Sequence, residues 1–456
     1  MSQSTQSGAP ALYGQLLSDK ECGWYLSDQA QIRAMLKVEA QLALAQADVG
    51  LIPQEAADAI NQASQLLEPD MVALAAGVAS AGVPVPALVK ALKKTLSQDF
   101  ARWVHFGATS QDIVDTALIL NCRELIEIYR QRLLEVMKLC VQLAEAHRGT
   151  LIAGRTRTQQ AIPMSFGLKI ANWIAPLLRQ LERLEELTPR LLKVQLGGAV
   201  GSLAAMGGGA DAIVQNLANR LNLQNAPSWH AQRDSLVEFS GWLAMTTGIL
   251  GKMAEDWLRM AQTEVGELRF SNGGGSSTMP QKCNPVNAEI MVTMARQNAG
   301  LAGQMQQCML HEHERSGYAW TQEWLLLPQM LMGTAVSLRH CLEGLESLEI
   351  SAENVETNIA RSHGLIYAEA ATFALAAHMS REDASRCVAQ ACEKVAGTGQ
   401  HLFEVLKVLT GHQLEIQSIR HGLLEGGATK AWFDEIIDNA RVLLDNSSAV
   451  SSLERS

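Results

Sequence analysis

The run from Ile113 to His147 is 35 residues long without a proline, and it constrains the fold more than any other stretch of the chain. Wound as a single helix it spans about 50 Å, longer than most globular helices. Comparable stretches with few or no prolines follow at Ser165 to Leu196, Gln232 to Gly266, Val286 to His311 and Gln329 to Leu348. Five such helices bury their apolar stripes against one another rather than on a sheet, so the pattern predicts an all-α protein with a central bundle of long antiparallel helices. Composition agrees, since 47% of the residues are hydrophobic while only 5% are aromatic. The narrowness of the stripes leaves apolar surface for partner chains, although periodicity alone counts no subunits.

Around this bundle the chain divides into three helical domains, 1–112, 113–350 and 351–456. Residues 1 to about 20 read as a tail. Helical spacing then runs from Ser27 to Leu67, with Pro53 opening a second helix; a break at Gly82 to Pro86 precedes a short helix from Ala87 to Leu96. After Ser351 shorter helices are punctuated by Gly397-Thr398-Gly399, Gly411 and Gly426-Gly427. The longest uncharged run, Met71 to Val89, holds two prolines and two glycines and is not read as a membrane span. The N-terminus lacks the basic and apolar regions of a signal peptide. Eight cysteines without a C-x-x-C pair read as reduced, mostly buried thiols of a cytoplasmic protein. A net charge of -10 argues against a nucleic-acid partner, and an anionic ligand then needs a locally basic pocket.

Such a pocket is suggested by Gly273 to Pro285, G-G-G-S-S-T-M-P-Q-K-C-N-P. Three glycines allow a backbone that other residues do not follow, and the serines arrive where successive N–H groups are exposed. Lys282 adds a point charge, while Asn284 and Pro285 read as an N-cap and a first helical residue. A flexible linker would share the glycines and serines, but not the spacing of Lys282, Asn284 and Pro285. A P-loop is excluded because no Gly-Lys-Ser/Thr follows. Upstream, His105 to Asp112 (H-F-G-A-T-S-Q-D) is a glycine turn leading into a helix, with capping-box spacing between Thr109 and Asp112. Its open N–H groups suit a carboxylate, though a capped helix alone would look the same.

These two segments resemble the signatures of the fumarase/aspartase superfamily, G-S-S-x-M-P-x-K-x-N-P and H-x-G-x-T-S-x-D. Gly154 to Pro163, G-R-T-R-T-Q-Q-A-I-P, resembles the superfamily's G-R-T-H-x-Q-x-A-x-P, with one departure: the histidine that handles a proton in many members is Arg157 here. Glu289 occupies the position of that histidine's glutamate partner. An arginine exchanges no proton near neutral pH, since its pKa lies above about 12. Arg157 is left to hold a carboxylate by charge-assisted hydrogen bonds, or to form a structural pair with Glu289. A reaction whose nucleophile is already a carboxylate needs no second acid or base; closure of a lactone is such a reaction.

Three further stretches resemble the carboxymuconate-cyclising branch of that superfamily: Gln195 to Met206, Trp229 to Asp234 with the following L-V-E-F, and His311 to Ser316 with Trp320, Glu323 and Trp324; Leu36 to Pro53 adds a similar N-terminal helix. The resemblance implies an intramolecular lyase that converts 3-carboxy-cis,cis-muconate to 4-carboxymuconolactone in protocatechuate breakdown by the β-ketoadipate pathway. It further implies no cofactor, and a homotetramer with active sites shared between subunits. By the same likeness Ser276 is the proton-transferring residue. Ser277, Thr278, Lys282, Asn284, Gln159, His105, Thr109 and Ser110 bind the polycarboxylate. Arg315 is either another carboxylate contact or a solvated charge between Glu312 and Glu314. His230 is either a second proton carrier or a satisfied structural histidine. His311 and His313, two apart on an expected helix, point to different faces and are not expected to share a metal. A fumarate-releasing lyase, such as adenylosuccinate or argininosuccinate lyase, and a non-catalytic polycarboxylate-binding scaffold are the alternatives.

Overall fold

The computed structural model describes residues 10–275, 278–279 and 281–453. Helices dominate, and the five long runs expected from the sequence correspond to the helices Ser110–Ala146, Phe166–Leu191, Asp234–Met260, Val286–Gln307 and Tyr318–Ser347. The chain forms two compact units, one from Met1–Gln131, Gln180–Gly248 and Thr293–Arg339, the other from Arg132–Arg179, Ile249–Val292 and His340–Ser456. Each boundary between them falls inside one of the long helices.

Several elements differ from expectation for identifiable reasons. The fifth long helix was expected to begin after Pro328, yet it starts at Tyr318 and runs through that proline. An internal proline costs about 3 kcal/mol. Here residues on both sides of it, Ala319, Trp320, Leu327, Met330 and Leu331, are buried and hold the helix continuous. The fourth helix stops at Gln307, so His311 to Ser316 lie in a loop, and the helical reason given for separating His311 from His313 does not hold. Residues 11–25, expected to be largely a tail, form short helices. Asp19 is 3% exposed and caps the third of them through Cys22 N at 2.9 Å. Arg339 donates to the carbonyls of Gln15, Leu16 and Ser18 and fastens the segment. Residues 1–9 of the expected tail lie outside the described ones.

Among the described residues three small antiparallel ladders also appear: β1 (Leu151–Thr156) with β2 (Gln159–Ser165), β3 (Leu268–Phe270) with β6 (Leu348–Ile350), and β4 (Gly274–Gly275) with β5 (Cys283–Asn284). In the C-terminal part, Gly399 (φ 69°) and Gly411 (φ 74°) end helices in left-handed caps. The last helix, Thr429–Leu453, is longer than the short elements expected there. All eight cysteines are unbridged, five of them buried. Among the described residues no helix is long and apolar enough to cross a membrane.

A buried ionic cluster organises the first unit. The Arg233 side chain is fully covered and reaches Asp115 at 2.6 Å and Glu323 at 2.5 Å. Trp320 Nε1 and Gln111 Nε2 also donate to Asp115, and Arg233 lies 4.8 Å from the Trp229 ring centre. Burial works to lower the Arg233 pKa, but the two carboxylates outweigh it and hold the guanidinium charged. For Glu323 burial acts upward, and contacts with His311 and Arg233 bring the net value below the ordinary one. Removing Arg233 leaves two buried anions without their cation. Arg233→Met is therefore expected to cost on the order of 3–5 kcal/mol in denaturant unfolding, and a midpoint equal to wild type would contradict this role.

Candidate active site

In the first unit the candidate residues gather at the start of the helix Ser110–Ala146. His105 (φ 64°) and Gly107 (φ 70°) both take left-handed backbone, making a tight turn before the helix. A Cβ on Gly107 would stand 2.9 Å from Met206 Cγ. Gln46 Nε2 donates to Phe106 O at 2.7 Å and holds the turn from the helix Asp28–Asp48. The expected capping box is present in part, with Thr109 N donating to Asp112 Oδ2 at 2.9 Å.

Asp112 is itself a buried junction. It also accepts from Gly197 N (2.8 Å), Gly198 N (2.9 Å), Gln195 Nε2 (3.1 Å) and the His230 ring at Nε2 (2.7 Å). Its two oxygens are thus occupied by protein groups and join the helix start to the segment Gln195–Gly198. His230 is 2% exposed, with Nδ1 3.2 Å from Ser228 Oγ, so both ring nitrogens face protein partners. Arg315 swings from its loop to donate to Thr109 Oγ1 at 2.6 Å, bringing an exposed cation to the helix N-terminus. Ser110, half-buried, opens the helix beside it. A cleft of about 830 Å³ adjoins them, lined in part by Gln111, Val200, Arg315, Tyr318, Trp320 and Leu325. His105 Nδ1 lies 2.6 Å from Glu39 Oε1. Burial acts to lower the His105 pKa, but the charge and hydrogen bond of Glu39 prevail and raise it.

In the second unit, Arg157 and Thr158 form the two-residue turn between β1 and β2. Both have positive φ, 49° and 67°, which matches a type I′ turn built without glycine. For a β-branched residue such as Thr158 this is an uncommon backbone. The arms hold it: Arg155 clamps the fully buried Glu267 with bonds of 2.9 and 2.7 Å, Asn358 Nδ2 donates to Glu267 at 3.0 Å, and Gln160 Nε2 donates to Asn358 O at 3.1 Å. Arg155, Glu267 and Asn358 were not singled out by sequence. Only the hairpin register reveals that Arg155 is an anchor while Arg157 is at the tip. Arg157 and Gln159 are exposed there.

The glycine-rich loop has a different basis from the expected one. Gly273, Gly274 and Gly275 do not have positive φ; close approach is what demands the first two, while a side chain on Gly275 would meet open space. A Cβ on Gly273 would stand 2.1 Å from Cys283 Sγ, and one on Gly274 would stand 2.8 Å from Val286 Cγ2. The pairing of Gly274 with Asn284 and of Gly275 with Cys283 follows. Asn284 is thereby tied into β5 rather than capping the next helix. Pro285 O accepts from Glu289 N instead, which moves the N-cap by one residue. Thr278 and Lys282 are exposed, and Lys282 N donates to Met279 O at 3.0 Å. Ser276 and Ser277 lie outside the described residues.

Comparison with known proteins adds an independent line. A family model described as "Lyase" matches residues 6–300. The 3-carboxy-cis,cis-muconate cycloisomerase of Acinetobacter baylyi is 40% identical over 404 residues, covering 87% of this chain and 90% of that protein. The Pseudomonas aeruginosa enzyme of the same name is 40% identical over 387 residues, with 83% and 84% covered. The crystal structure of β-carboxy-cis,cis-muconate cycloisomerase from Acinetobacter calcoaceticus superposes with a TM-score of 0.87 at 36% identity, over 94% of this chain and 99% of that one.

Because Gly273 is required by contact, Gly273→Ala is expected to separate β4 from β5 and displace Lys282 and Asn284. Steady-state kinetics should show kcat/KM lower by at least about tenfold, as a displacement near 1 Å commonly costs more. Adding Cys283→Ala should restore part of the loss, and wild-type activity in the single variant would contradict the steric reading.

Proposed function

The chain belongs to the lyase family, within the fumarase/aspartase superfamily, and from that premise we propose that it closes 3-carboxy-cis,cis-muconate to 4-carboxymuconolactone. The observation that carries the reading is Arg157 at an exposed hairpin tip, a cation that transfers no proton where many superfamily members place a histidine. Substrate and product are isomers. One carboxylate oxygen forms the new C–O bond across a conjugated double bond, and the adjacent carbon takes up one proton. The nucleophile arrives already ionised, so a single proton-transferring group suffices, and that group is Ser276. A serine hydroxyl is a weak acid; N–H donors and Lys282 stabilise the alkoxide it leaves, and solvent returns the proton.

The remaining residues hold a trianionic substrate. Arg157 and Gln159 bind one carboxylate. Ser277, Thr278, Lys282 and Asn284 bind another, and His105, Thr109, Ser110 and Arg315 serve the third. The Arg315 bond to Thr109 supports the last assignment, since it puts a positive charge beside open N–H groups at a helix start. The step needs no cofactor. The enzyme is a cytoplasmic homotetramer with active sites shared between subunits, divided by sequence into domains 1–112, 113–350 and 351–456. Exposed apolar residues on the long helices, including Met245 and Leu325, support a role for those helices in assembly.

Ultraviolet absorbance of 3-carboxy-cis,cis-muconate mixed with the purified protein tests the reaction, with the product identified by NMR. Loss of the diene with appearance of the lactone is expected. Release of fumarate from adenylosuccinate or argininosuccinate, without lactone formation, would replace this reading. In the same assay Ser276→Ala should abolish turnover while leaving the tetramer intact by light scattering, and near wild-type turnover would remove Ser276 from the mechanism. Arg157→His should raise KM through weaker carboxylate binding; unchanged kinetics would exclude that role.

A further inference from the structure

We propose that Glu39 is a positioning residue that keeps His105 in its cationic form and leaves the ring Nε2–H to bind a carboxylate of the substrate. The proposal rests on the cycloisomerase reading only for the identity of that carboxylate.

Glu39 lies in the middle of the helix Asp28–Asp48 and is 1% exposed. One of its oxygens meets His105 Nδ1 at 2.6 Å; the other, Oε2, is buried without a hydrogen-bond partner. An ionised carboxylate in such a place is costly unless a cation stands against it. His105 stands in that position. Gln46, two helical turns beyond Glu39 on the same face, holds the carbonyl of Phe106. One helix therefore fixes both the imidazole and the backbone next to it, and together these contacts offset the left-handed strain at His105.

The charged groups around the ring act in both directions. Burial lowers its proton affinity, Glu39 raises it by charge and by hydrogen bond, Asp112 adds to the rise, and Lys93 opposes it. The net effect is upward. The Glu39–His105 attraction is fully present below the ordinary histidine value of 6.5 and is lost as pH rises through the higher folded value. Binding of an anion at Nε2–H should follow the same course. The ring is 19% exposed, and among the described residues its Nε2 has no hydrogen-bond partner.

Carbethoxylation by diethyl pyrocarbonate, localised to His105 by peptide mass spectrometry and followed against pH without substrate, reads the neutral imidazole directly. Wild type should react with a midpoint above 6.5. Glu39→Gln keeps an oxygen facing Nδ1 but removes the charge, so its midpoint should fall below that of wild type. In the lactone assay at pH 7 the same variant should show KM higher by about tenfold with kcat within about threefold, the loss expected for one charge-assisted hydrogen bond. Glu39→Asp, which retains the charge, should recover part of both effects. A wild-type midpoint at or below 6.5, or superimposable profiles for wild type and Glu39→Gln, would overturn the proposal. If Glu39→Gln fails to fold, the wild-type midpoint decides alone. If wild type forms no lactone, the cycloisomerase reading fails while the modification profile still decides the state of His105.

Discussion

The burial of charge at the start of the helix Ser110–Ala146 is the constraint on which the first unit depends. Asp112 and Asp115 are less than a turn apart on that helix and both are fully covered. Each anion would destabilise the fold severely if left alone. Asp112 is met by backbone and side-chain donors from Gln195, Gly197, Gly198 and His230, while Asp115 is met by Arg233, Trp320 and Gln111. Satisfying two carboxylates thus fixes three distant segments of chain to one helix end. The turn bearing His105 and the loop bearing Arg315 inherit their positions from that arrangement.

The second unit solves a related problem at its hairpin. A non-glycine type I′ turn is strained, and the Arg155–Glu267 fork with its link to Asn358 anchors the arms on either side of it. The result is an arginine presented at a defined tip. Arg157 supplies a fixed charge there and no proton carrier, which suits the proposed reaction, in which the attacking group is a carboxylate and only one proton moves.

Much of this was legible in the sequence because the periodicity of long helices is a strong signal. The Ser110–Ala146 helix was expected from Ile113 onward, and the capping pair Thr109–Asp112 accounts for the extra turn. Where the reading went astray, tertiary contacts had overridden local rules. Pro328 sits within a helix because apolar packing on both sides outweighs a broken hydrogen bond. Gly273 and Gly274 of the loop are needed for close approach to Cys283 and Val286, a cause invisible without the β4–β5 pairing. Glu39 gave no signal at all: it is one charged residue in a buried, mostly apolar stripe, and only its distance to His105 singles it out.

In the proposed reaction an ionised carboxylate attacks while one solvent-derived proton is added to the neighbouring carbon. Running the reaction in D₂O and analysing the product by NMR tests this most directly. The expected product is 4-carboxymuconolactone carrying a single deuterium on the carbon beside the new C–O bond. Lactone without deuterium at that carbon, or a product formed by releasing fumarate, would contradict it.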